Sequence, residues 1–303
     1  MVNRNALLKG SGVRLDTDSI FTGLMYFALS CVLILILYPL IYVVSASLSD
    51  PVALVNGKVW LLPAGLNFKA YGHVFENRDI WLGYRNTVFY TTCGTAINLV
   101  LTIMAAYPLS RRDWRGRKFF MVALVITMFF SGGLIPTYLV VKRLGMVNRI
   151  WAMLIPNAIN TFNVIVMRSF FQTTIPDELK DSAFIDGCSN TKILLYIVLP
   201  LSGPILAVMI LFYGVYHWND FFTALIYLSK RRLFPLQLIL REILIQSQTE
   251  DMVELEAGHL ERILESEVLK YAVILISSLP MLILYPFLQR FFVKGVMVGA
   301  IKG

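Results

Sequence analysis

Residues 175–189 read Ile-Pro-Asp-Glu-Leu-Lys-Asp-Ser-Ala-Phe-Ile-Asp-Gly-Cys-Ser. Pro176 suits the first turn of a helix, where a missing N–H costs nothing. Asp177 and Glu178 suit the positive end of the helix dipole, and Gly187 suits the left-handed position just past its end. The spacing predicts a helix from Pro176 to Asp186, about 11 residues and roughly 16 Å long. Ser189 can cap a second helix running to Leu199, which Pro200 then interrupts. Leu179, Ala183 and Ile185 can face the body of the protein. Ser182 and Ala183 are small enough for a partner to come close, and Asp181 and Asp186 frame them with charge. A rigid helix with a small centre and a polar rim can act as a docking knob. It can equally be an ordinary surface helix, because caps and acidic first turns are common to both.

A second group, Tyr213, Tyr216, His217, Trp218, Asn219, Asp220, Phe221 and Phe222, lies in an apolar stretch. Aromatic rings stack on the apolar faces of sugars, and Asn or Asp exchange hydrogen bonds with hydroxyls. Tyr216, Trp218, Asn219 and Asp220 can therefore line a solute path. The same residues can form an interfacial aromatic belt, where Trp and Tyr concentrate. Asp220 would cost about 2.5–3.5 kcal/mol at the centre of a bilayer, so it should face protein or water. His73, His217 and His259 are isolated in the sequence and read as structural or interfacial. Cys31, Cys93 and Cys188 show no CxxC spacing. Cys31 and Cys93 read as small core residues, and no disulfide framework or metal site is expected.

The elements that must carry these groups are membrane helices. Of 303 residues 57% are hydrophobic and 15% charged, with a mean hydropathy of +0.68; a soluble domain carries about 25% charged residues. The apolar runs are long and continuous, so the backbone can satisfy itself in lipid only as helices. Six spans are expected, at about 20–48, 86–110, 119–141, 150–171, 197–228 and 269–293, in a single all-α membrane domain covering 1–303. The third is interrupted by Gly132, Gly133 and Pro136. A polar stretch, 49–85, follows the first span, and a loop, 229–268, precedes the last. The first apolar run is too long for a signal peptide and reads as a retained span.

Lysine and arginine collect in loops that stay in the cytoplasm. Residues 111–118 hold five basic residues and one acidic, which places that loop inside. Both termini then lie inside as well, in accord with Arg4, Lys9, Arg14, Lys294 and Lys302. The outer loop 142–149, with Lys142, Arg143 and Arg149, is a mild exception. The net charge of +8 thus orients the chain, and no nucleic-acid partner is expected. The loop 172–196 is cytoplasmic by this count yet acidic, which calls for a separate reason.

Asp181-Ser182-Ala183-Phe184-Ile185-Asp186-Gly187, followed by Leu199-Pro200, resembles the EAA motif of binding-protein-dependent ABC importers. That motif usually opens on Glu and Ala, where this chain has Asp181 and Ser182; Ala183, Asp186 and Gly187 match directly. Ala106-Tyr107-Pro108-Leu109-Ser110-Arg111, Gly132-Gly133-Leu134-Ile135-Pro136, Trp218-Asn219 and Val293-Lys294-Gly295-Val296 resemble carbohydrate permeases related to the maltose type. The resemblance implies a type I importer permease with cytoplasmic termini, in a bacterial cell membrane. It implies that 176–187 is a coupling helix seated in a cleft of an ATPase subunit. It further implies three kinds of partner: a second homologous permease, a pair of ATPases, and an extracytoplasmic binding protein that delivers a sugar or oligosaccharide. No G-x-x-x-x-G-K-[ST] run is present, so ATP and Mg would be bound by the partner ATPase and this chain would hold no cofactor. Import of a peptide or other solute is the alternative within this class. An ion-coupled transporter would need an intramembrane charge relay, and Asp220 is the only acidic residue well inside an expected span. A membrane enzyme would need a His, Asp or Ser cluster, and none is visible.

Overall fold

The computed structural model describes residues 17–250 and 259–300. Arg4, Lys9, Arg14 and Lys302 lie outside the described residues, and no strand occurs among those described. Helix α1 (Thr17–Ser47) has 31 residues and no charged side chain after Asp18. Its most apolar stretch is unburied within the chain, and Cys31 is exposed on it rather than in a core. The polar stretch after it folds into α2 (Pro51–Val55) and α3 (Lys69–Glu76). Asp50 caps α2 by accepting from Val52 N and Ala53 N at 3.0 and 3.3 Å. Asn77 caps α4 (Arg78–Ser110), which therefore starts eight residues ahead of the expected span.

Beyond α4 the spans break. Helices α5 (Arg117–Phe129) and α6 (Leu134–Arg143) meet at 115°, with Gly133 at φ +83° in the bend. The fourth expected span is not one helix: α7 (Trp151–Leu154) and α8 (Thr161–Thr173) are separated by residues 155–160. Ile155 keeps helical angles and bonds back to Trp151 O, Pro156 has no N–H to continue the ladder, and the Asn160 side chain restarts the helix by accepting from Asn163 N. Then come α9 (Asp177–Ile185), α10 (Asn190–Ile193), a π turn (Leu194–Val198), α11 (Leu199–Leu201) and α12 (Gly203–Trp218). The 190–201 segment meets α12 at 84°. The expected continuation to 228 breaks after Trp218 and resumes as α13 (Phe222–Tyr227). A 3₁₀ turn (Arg231–Leu233), α14 (Leu236–Glu250) and α15 (His259–Ala300) complete the order. Among the described residues three helices are long and apolar enough to cross a membrane, or up to five spans if each bent pair counts as one.

One expectation is corrected here. Within the segment 229–268, residues 236–250 and 259–268 are helical, and Leu236, Ile239 and Leu240 of α14 bury against Val268, Ala272 and Val273 of α15. Helix α15 runs on past Lys294 as far as Ala300.

Helix α4 is the central post, packing on α8, α12 and α14. One of its faces carries Gly83, Thr87, Tyr90, Gly94, Asn98 and Thr102, at helical spacing. Small and polar residues let membrane helices approach and bond. Thr87 Oγ1 accepts from Leu236 N at 2.8 Å. Asn86 Nδ2 donates to the carbonyls of Arg232 and Phe234, each at 2.9 Å. A Cβ on Gly83 would stand 3.0 Å from Leu236 Cα.

Candidate functional site

Helix α9 ends as its sequence requires. Gly187 adopts φ +79°, its N–H reaches Phe184 O at 3.1 Å, and Cys188 N reaches Ala183 O at 2.9 Å. This pair of bonds satisfies the last carbonyls of the helix. Ser189 then caps α10 through Lys192 N. Pro200 cannot donate to Tyr196 O, and its ring would press on that carbonyl. The chain answers with the π turn, in which Leu199 N bonds Leu194 O five residues back.

The faces of α9 differ from expectation. Lys180 and Ala183 are the buried residues, whereas Leu179 is 44% exposed, Phe184 61% and Ile185 85%. Ala183 joins a core with Tyr107, Phe171, Ile193, Val198 and Met209. Its small size thus lets α9 sit close on the bundle. Asp181, Ser182 and Asp186 are exposed. Lys180 Nζ donates to Asp177 Oδ1 at 3.1 Å, and Arg112, in the α4–α5 loop, reaches Asp177 at 3.4 Å. The Lys180 hydrogen bond holds the Asp177 carboxyl below its ordinary value, and the Arg112 charge adds to this. In the same loop Arg111 clasps Asp113 through two bonds of 2.8 Å, which lowers the Asp113 pKa in turn. Arg168 Nε and Gln172 Nε2 of α8 donate to Leu109 O and Ser110 O at 3.0 and 3.1 Å. They satisfy carbonyls at the end of α4 that no helical N–H reaches.

The second group of residues is dispersed. Trp218 is 6% exposed and donates to Ser277 O at 3.1 Å, so it packs on α15 and is not a belt residue. Asn219 bonds back to Val215 O and lines a cleft of about 270 Å³ with Gln237 and Tyr285. Asp220 Oδ1 accepts from Thr223 N at 3.0 Å, fixing the start of α13. Tyr216 alone of the four opens on a larger cleft of about 580 Å³ between α8 and α12. A chain of polar contacts sits behind it. Asn157 Nδ2 donates to Tyr216 Oη at 2.7 Å, Asn98 Nδ2 to Asn157 O at 3.1 Å, and Asn98 Oδ1 meets His217 Nε2 at 3.0 Å. Sequence reasoning missed Asn98, Asn157, Asn160 and Asn163; amides recurring inside an expected span were the available signal. Among the described residues no cluster of His, Cys, Asp or Glu could hold a metal.

An all-helical chain with long apolar spans, several broken, and a capped arm at one end is the architecture of a membrane permease. Residues 98–298 match the family described as binding-protein-dependent transport system inner membrane component, and the chain belongs to that family. It is 42% identical over 292 residues to the polygalacturonan/rhamnogalacturonan transport system permease protein YtcP of Bacillus subtilis (strain 168). That match covers 96% of this chain and 99% of the relative. Protein LplC of the same organism is 40% identical over 266 residues, 88% of this chain and 89% of the relative. A bacterial ABC transporter involved in the import of the acidic polysaccharide alginate has a chain of the same fold. Its TM-score is 0.82 at 33% identity, covering 91% of this chain and 97% of that one.

Proposed function

We infer that this permease carries a sugar or oligosaccharide, delivered by an extracytoplasmic binding protein, and that α9 is its seat on an ATPase subunit. The observation that carries the coupling assignment is the two-sidedness of α9. Phe184 and Ile185 are presented outward, while Ala183 joins the bundle core and Lys180 is buried on the same helix. A force on the outer face reaches α4, α8 and α12 through rigid packing. Asp181, Ser182, Asp186 and Gly187 shape the contact, and Ala183 sets how closely the arm sits. The partners are a second permease, a pair of ATPases that bind ATP and Mg, and the binding protein. The saccharide assignment is supported by relatives named for polygalacturonan, rhamnogalacturonan and alginate. Peptide import would appear as uptake of labelled peptide in place of sugar.

The test is co-purification of the ATPase with the permease pair, alongside uptake. Gly187→Val forces a β-branched residue into φ +79° and should misdirect the chain after α9. Ile185→Asp should disturb only the outer face. Both should insert and pair normally yet lose the ATPase and transport. Full ATPase recovery and wild-type uptake in both variants would sink the assignment.

A further inference from the structure

Three helices stop at one depth. Helices α5 and α8 have 13 residues each and α12 has 16, about 20–24 Å from the end that carries α9. The hydrocarbon core is about 30 Å thick, so a helix of this length that starts at one membrane face ends within it, which would set the breaks at 130–133, 155–160 and 219–221 at membrane depth. They are also neighbours. Thr127 near the end of α5 lies 3.3 Å from Thr161 at the start of α8. Asn157, within the second break, bonds Tyr216 near the end of α12 at 2.7 Å. Irregular backbone survives at membrane depth only where it is buried in protein or lines water. The cleft of about 580 Å³ opens at these ends, within the roughly 300–1,000 Å³ of small-molecule sites.

Its lining has one chemistry. Asn157, Asn160 and Asn163 bring side-chain amides, Tyr216 brings a phenol, and Phe162 and Phe212 bring ring faces. Asn163 is 6% exposed, and an amide offers two donors and an acceptor. Phe162 is 54% exposed. No lysine, arginine, aspartate or glutamate lines the cleft. Asp220, four residues beyond Tyr216 and past the end of α12, is the nearest acidic residue along the chain and would repel a sugar carboxylate rather than bind it.

We propose that this cleft is a saccharide subsite on this subunit, reading the hydroxyls and C–H face of a pyranose ring and not its charge. Amides of Asn157, Asn160 and Asn163 bond hydroxyls, and Phe162 covers the apolar face. The subsite rests on the permease reading, and recognition of uronate carboxylates then belongs to other parts of the importer.

The test uses the assembled permease–ATPase complex in lipid nanodiscs, without binding protein. The probes are tetragalacturonate and its carboxyl-reduced counterpart, tetragalactose. Equilibrium binding should show affinities for the two within tenfold of each other. Phe162→Ala and Tyr216→Phe should each weaken both by at least threefold while the ATPase still co-purifies. Asn163→Asp should weaken tetragalacturonate more than tetragalactose. Absence of binding by either probe, a preference for tetragalacturonate above tenfold, or losses under threefold in both variants would overturn the subsite. Those results leave the coupling assignment standing. Retained ATPase in Gly187→Val with lost binding in Phe162→Ala would do the reverse.

Discussion

At the scale of single residues, two glycines of α4 mark where helices touch. A Cβ on Gly94 would stand 2.4 Å from His217 Nε2, and one on Gly83 would stand 2.7 Å from Ile239 Cδ1. His217 cannot yield freely, because it is 3% exposed and held by Asn98. Overpacking of this kind costs about 1–3 kcal/mol, against a gain of about 1 kcal/mol for Gly→Ala in a helix. Gly83→Ala and Gly94→Ala should therefore lower the melting temperature of the purified complex. Gly72→Ala, with nothing within 4 Å of its Cβ, should leave it unchanged or raise it. A rise in all three would refute the close packing. The row that includes these glycines recurs at helical spacing, a signal the sequence reading passed over. Its partner leaves no such signal, because Asn86, Thr87 and Tyr90 bond backbone groups of 232–236, which carry no side-chain signature.

At the scale of elements, α9 was legible and α14 was not. Pro176, the acidic first turn and Gly187 are local signals, and the helix found at Asp177–Ile185 differs by one residue at each end from the one expected. Which face turns inward is a tertiary matter. Lys180 is buried while paired with Asp177, which Arg112 of another loop also reaches, so spacing alone favoured Leu179 and Ile185. Helix α14 was hidden because its apolar residues are matched to α15 and its charges read as loop. The Asp177 pairing also has a pH consequence. A carboxyl whose folded pKa is lowered stabilises the fold above its free value of about 3.9, and that contribution is lost as pH falls through the folded value. Hydrogen exchange of α9 amides, corrected for intrinsic rates, should then show no Asp177-dependent change between pH 5 and 8. Asp177→Asn should lower the protection free energy of these amides at pH 7 by less than about 1 kcal/mol, since the side chain is half exposed and screened. Equal protection in the variant would mean that the ion pairs hold nothing.

For the whole molecule, orientation is the governing question. The charge count puts the α4–α5 loop inside and 142–149 outside. Both segments are exposed at Arg115 and Leu144. In a background lacking Cys31, Cys93 and Cys188, Leu144→Cys should react with an impermeant thiol reagent applied to wall-permeable cells, and Arg115→Cys should react only after lysis. The opposite pattern would invert the assignment and move α9 away from any cytoplasmic ATPase. The chain also leaves much of its apolar surface uncovered. No residue of α5 is buried, and Phe119, Phe129 and Ile135 are more than 70% exposed. Lipid and a second permease supply the missing cover in the assembly we infer.

The π turn at Leu194–Val198 sets a rotational phase. It holds one residue more than an α-helical turn needs, and one residue is about 100° of rotation about the axis. Deleting Leu195 would remove the extra residue and leave Pro200 to interrupt the segment, a change confined to about one turn, so overall helix content should be nearly kept. The same deletion would swing α9 and Ile193 together about 100° relative to Val198, and both Ile193 and Val198 are fully buried. Circular dichroism should therefore show helix content intact while uptake and ATPase recovery collapse. Normal uptake from the shortened chain would show that the angular setting of the arm does not matter. Here the irregular hydrogen bonding is what keeps a lever pointing in the right direction.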